Sequence, residues 1–83
     1  MLLGMMKGMN NMEKRNLYFQ RSNGEYILLL ENITEDEAWT EMRRFMKQHN
    51  FKSYYVRSWG TESRKWYDVG SWSEFFVWTK EEL

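Results

Sequence analysis

Cysteine is absent from this 83-residue chain, which excludes a disulfide scaffold, a thiolate metal site and a thiol nucleophile. A single histidine makes a histidine-rich metal cluster or a histidine-based catalytic set improbable on composition alone. Proline is also absent, so one class of strand breaker is missing. No apolar run approaches the length a bilayer requires, and no membrane partner is expected. Nor is there an excess of either charge: twelve Lys and Arg balance twelve Asp and Glu. Bulk attraction to nucleic acid is therefore disfavoured, though local patches remain open. No glycine-rich phosphate loop or catalytic fingerprint is present.

What the chain does have is aromatic volume. Five each of Trp, Tyr and Phe make up 18% of the sequence, enough to supply most of the core of one small domain. Residues 1–15 read as a Met-rich leader and 16–83 as a single domain. The leader holds five of the seven methionines within its first twelve residues. Lys7 and two glycines interrupt its apolar run and no small-residue cleavage site follows, so it is not read as a signal peptide. It is either a free leader or a strip that packs on an apolar surface.

Leu17–Arg21 and Tyr26–Glu31 are β-prone, and Ser22-Asn23-Gly24-Glu25 between them carries the pair favoured in tight hairpins. Thr34 followed by Glu37 is a capping box, with Ile33 placed to staple onto Ala38. Ala38, Trp39, Met42, Phe45 and Met46 then recur at helical spacing, so a helix is predicted over about 35–49, closed by His49-Asn50. Its acids gather in the first half and its bases in the second, as the helix dipole prefers. Strands are predicted over Phe51–Trp59, Arg64–Val69 and Glu74–Thr79. The order β-β-α-β-β-β gives an α+β fold, an antiparallel sheet of four or five strands with one helix on one face.

One helix covers one face of such a sheet, and alternation should leave polar residues on the other. Tyr26, Leu28, Leu30, Tyr54, Val56, Tyr67, Val69, Phe75 and Val77 are assigned to the helix side. That leaves Ile27, Leu29, Tyr55, Arg57, Trp59, Trp66, Asp68, Phe76 and Trp78 outward, a set far from polar. The leader, a second copy or a foreign partner should cover so large an apolar area. The binding surface is expected to centre on Tyr55, Arg57, Trp59 and Trp66, completed by Arg64 and Trp78, because Trp, Tyr and Arg dominate binding hot spots.

Charge is segregated along the chain. Residues 22–42 carry −6 and residues 43–65 carry +6, the latter interleaved with Tyr54, Tyr55 and Trp59. Aromatics among Arg and Lys on a sheet can hold single strands or nucleotides, although helix electrostatics already accounts for Arg43, Arg44 and Lys47. His49, Asp68 and Glu74 are the available acid–base groups, and nothing in the sequence brings them together. His49 suits a helix C-terminus, and Asp68 suits pairing with Arg57 or Arg64 across a strand pair. No catalytic residue, metal ligand or cofactor is assigned.

The string Phe51-Lys52-Ser53-Tyr54-Tyr55-Val56-Arg57, continuing to Asp68-Val69-Gly70-Ser71-Trp72-Ser73-Glu74-Phe75-Phe76, resembles a pattern in small uncharacterised phage and prophage proteins of Gram-positive bacteria. The resemblance spans roughly residues 26–79 and brings no catalytic residue. It implies a phage accessory protein in the host cytoplasm, acting stoichiometrically on a host protein, with antagonists of host defence a prominent class. A sponge for a signalling nucleotide, a single-strand binder and a structural homo-oligomer are the alternatives.

Overall fold

The computed structural model describes residues 13–49, 57–68 and 74–83. Strand β1 (Arg15–Gln20) and β2 (Tyr26–Ile33) precede helix α1 (Glu35–Gln48), and β3 (Arg57–Gly60), β4 (Arg64–Asp68) and β5 (Phe75–Thr79) follow. All neighbours are antiparallel and the spatial order is β2-β1-β5-β4-β3. The chain thus enters at β1, turns out to the β2 edge, resumes after α1 at the opposite edge with β3, and returns by β4 to seat β5 against β1. The expected α+β class holds.

The capping box forms as the sequence predicts. The Glu37 amide donates to Thr34 Oγ1 at 3.3 Å, and the Thr34 amide donates to Glu37 Oε1 at 2.8 Å. At the far end the His49 amide donates to the Phe45 carbonyl at 3.1 Å, closing the helix. Asn50, read as a cap residue, lies outside the described residues. Ala38, Met42 and Met46 are buried, and they pack with Leu17, Phe19, Ile33, Tyr67, Phe76 and Trp78 into one core between helix and sheet.

The first hairpin differs from the two-residue turn that Asn23-Gly24 suggests. The Gly24 amide donates to the Arg21 carbonyl and the Arg21 amide to the Glu25 carbonyl, both at 2.8 Å. Gly24 has φ +91, while Asn23 is not among the positive-φ residues, so a mirror-image turn is excluded. The loop is instead a three-residue one with glycine in the left-handed position, where no Cβ is penalised. Asn32 is the described non-glycine residue with positive φ, at 55, and its amide donates to Asn16 Oδ1 at 3.0 Å. It sits where the β1–β2 register slips, at one of two irregularities in that pair.

These slips matter for which side chains face the helix. Ile27, Phe19, Phe76, Tyr67 and Ser58 are successive register partners across all five strands, on the helix side. Leu28, Tyr18, Val77, Trp66 and Trp59 form the matching row on the other face. The expected assignment is therefore right for Tyr67 and for Arg57, Trp59, Trp66 and Asp68. It is inverted for Tyr26, Ile27 and Leu28 on β2 and for Phe75, Phe76, Val77 and Trp78 on β5. Tyr54, Tyr55, Val56 and Val69 lie outside the described residues, as does the leader up to residue 12.

Candidate binding surface

Gly60 makes the β3–β4 turn possible. A Cβ there would lie 2.1 Å from the Arg64 carbonyl oxygen, the same oxygen that accepts the Thr61 amide at 2.8 Å. The close return sets Trp59 directly opposite Trp66. Their rings stack at 6.4 Å with planes 7° apart, and Phe75 meets both edge-on at 5.8 and 6.3 Å. This three-ring cluster is on the face away from α1. Trp59 is 47% exposed, whereas Trp66 and Phe75 are half-buried.

Arginines frame the cluster with their charges already met. Arg57 donates to Asp68 Oδ2 at 2.7 Å across the β3–β4 pair, as its register position predicts. Arg64 lies 5.7 Å above the Trp66 ring and pairs with Glu81 at 3.0 Å. The basic block of the sequence is thus divided in space. Lys65 turns to the helix side and pairs with Glu35, and Arg44 pairs with Glu41 along the helix.

Trp78 does not join this surface. It is 5% exposed, and its indole N–H donates to the Ile33 carbonyl at 3.1 Å, with the Arg15 guanidinium 4.5 Å from its ring. The physical reason is register: Val77, not Trp78, stands beside Trp66. Tyr55 lies outside the described residues. Of the six expected residues, Arg57, Trp59, Arg64 and Trp66 come together. Phe75 is the member that sequence reasoning missed, and its position opposite Asp68 is the signal that places it.

The middle of this face is less open than alternation implies. Val77 is fully buried and Tyr18 only 5% exposed, and the Leu83 amide donates to Tyr18 Oη at 3.2 Å. Among the described residues, large apolar exposure is left at the two sheet edges, Trp59 on β3 and Ile27, Leu28 and Leu30 on β2, and at the terminal Leu83.

On the helix side, Glu35 accepts from Lys65 Nζ at 2.5 Å and Tyr67 Oη at 2.7 Å. Burial alone would raise the Glu35 carboxyl, but these two donors outweigh it and hold the group below its ordinary value. Burial, reinforced by the neighbouring Glu35 carboxylate, raises the Tyr67 hydroxyl. The cluster ties the first turn of α1 to β4. Elsewhere on this side an open groove of about 360 Å³ is lined by Phe19, Arg21, Ile27, Phe45, His49 and Glu74. His49 stacks on Phe45 at 4.2 Å. His49 and Glu74 therefore share a groove, but Asp68 faces the opposite side of the sheet, so the three do not form one acid–base set.

Among the described residues no group of three His, Asp or Glu could hold a metal ion, and no helix is long and apolar enough to cross a membrane. Set against known proteins, the chain matches no family model, no curated protein and no solved structure.

Proposed function

We propose that this chain is a non-enzymatic binding protein whose contact surface is the aromatic edge formed by Trp59, Trp66 and Phe75. The observation that carries this reading is Trp59: a large aromatic, half in solvent, packed against a stacked partner and an edge-on ring. Pre-organised Trp side chains lose little entropy on association and recur as hot spots. The resemblance of residues 26–79 to phage proteins suggests the class of partner. In this reading the chain is a phage accessory protein that occupies a host defence protein, or another host protein, in the bacterial cytoplasm.

A nucleotide or single-strand binder would use the same rings, but it needs cations free to meet phosphate. Arg57 and Arg64 are engaged by Asp68 and Glu81, which favours a protein partner. Affinity purification from a Gram-positive host, with mass spectrometry of proteins and small molecules, tests the proposal. Wild type should retain one host protein at stoichiometric amount, and Trp59→Ala should release it while remaining folded. Co-purifying nucleotide, or a partner retained equally by Trp59→Ala, would overturn it.

A further inference from the structure

The second concentration of exposed apolar surface lies at the opposite edge. Strand β2 is the outermost strand of the sheet, and among the described residues none lies beyond it. Ile27 is 42% exposed, Leu28 44% and Leu30 38%, and Tyr26–Leu30 contains no charge. Natural sheets usually blunt such an edge with charge, proline or a covering segment, because its unpaired backbone groups template another strand.

We propose that β2 is a dimerisation edge, at which two copies pair antiparallel about a two-fold axis through Ile27. The β1–β2 register fixes this alignment. Its regular stretch at the hairpin end pairs Tyr26, Ile27 and Leu28 with Gln20, Phe19 and Tyr18, and it slips beyond Leu28. Three straight residues pair with themselves in one way that uses all of them, with Ile27 at the centre. Ile27 then meets Ile27 of the partner subunit, and Tyr26 meets Leu28 of the partner subunit on the face away from α1. Aromatic–aliphatic cross-strand pairs of this kind are favourable.

Charge placement supports a second copy in this register. Centring the axis on Leu28 instead would set Glu25 against Glu31 of the partner subunit, a like-charge contact. Centring on Ile27 sets Glu25 against Leu29 of the partner subunit and Glu31 against the neutral Asn23 of the partner subunit. A chain of zero formal net charge adds no overall repulsion. Ile27 also lines the groove that Phe19 and Phe45 share, so apolar side chains adjoin the proposed axis. Isologous two-fold pairing of this kind is also closed, leaving no propagating β2 edge. The Trp59 edge stays free at both ends of the joined sheet, so this inference stands apart from the proposed partner surface.

The absence of cysteine gives a direct test. Antiparallel partners have Cα atoms about 4.5–5.5 Å apart, within disulfide reach. Ile27→Cys should therefore cross-link to its own copy under mild oxidation, and Glu25→Cys should not. In sedimentation equilibrium the unmodified full chain should dimerise. Ile27→Lys, which opposes two ammonium groups on the axis, should weaken the dimer by roughly a hundredfold. Its exposed position should leave the monomer folded, as thermal melting will report. Three results would overturn the inference. One is a wild-type monomer up to millimolar concentration, and another is equal cross-linking of Glu25→Cys and Ile27→Cys. The third is a dimer lost in Trp59→Ala and kept in Ile27→Lys, which would move the interface to the other edge.

Discussion

At the scale of single residues, two glycines and two tryptophans separate conformational, steric and packing effects. Gly24 has φ +91 and open space where a Cβ would stand, so Gly24→Ala carries backbone strain alone, about 1–2 kcal/mol. Gly60→Ala instead drives a Cβ against the Arg64 carbonyl and Lys65 Cα, which are backbone atoms that cannot turn aside. It should cost more, roughly 2–4 kcal/mol in denaturant unfolding, by opening the β3–β4 turn. If the two alanines cost the same, the close return at Gly60 is not as drawn. The tryptophans divide in the same way. Trp78→Ala removes a buried ring and leaves the Ile33 carbonyl without its donor, an expected loss of about 3–5 kcal/mol. Trp59→Ala gives up ring contacts at an exposed edge, worth about 0.5–1.5 kcal/mol each. A melting order with Trp59 as the costlier loss would invert the face assignment.

At the scale of elements, α1 is held at its start by two separate devices. Thr34→Ala removes the cap and should cost about 1 kcal/mol, measured as a shift in denaturant midpoint. Glu35 adds a pH dependence. Its carboxyl lies below the ordinary 4.5, so its contribution is complete above that value and fades as pH falls through the folded one. The stability gap between wild type and Glu35→Gln should therefore be widest near neutrality and close in acid. Tyr67 acts at the other end of the scale. Its raised hydroxyl stays protonated in the fold while the unfolded chain ionises near 10, so stability should fall above that pH. Tyr67→Phe should flatten that alkaline limb. The helix was legible from sequence because its cap, period and charge order agree. Within the described residues the strands fall where runs of aromatic and β-branched residues predict them, while residues 51–56 of the third predicted strand lie outside that range. Facing was not legible, because Tyr26–Leu30 and Phe75–Trp78 are apolar at both parities, so alternation carries no information there. Register decides instead, and it depends on a three-residue loop, two slips in the β1–β2 pair and the length of the β4–β5 connection. Alternation alone therefore sends Trp78 to the wrong face and leaves Phe75 out of the cluster. The Arg57–Asp68 pair, by contrast, needed only hairpin counting.

At the scale of the whole molecule, charge that is segregated along the chain is partly neutralised by folding. The acidic stretch supplies Glu35 and Glu41 to Lys65 and Arg44, and the C-terminal part supplies Asp68 and Glu81 to Arg57 and Arg64. The aromatic edge is consequently framed by ion pairs rather than by a cationic field, and this has a measurable consequence for its partner. Binding through apolar and aromatic contact releases few counterions, so affinity for a protein partner of the proposed kind should change by no more than about threefold between 50 and 200 mM salt. A ligand gripped by its phosphates behaves otherwise, since six to ten such contacts cost roughly 10³–10⁵ in affinity over the same range. The measurement is a titration at several salt concentrations with wild type and with Asp68→Asn, which removes the carboxylate charge that Arg57 meets across the strand pair. Wild type should give a shallow slope and Asp68→Asn a steeper one toward any acidic ligand. A steep slope already present in wild type would mean that the arginines release their carboxylates to an anion, and the surface would then be a phosphate-binding one.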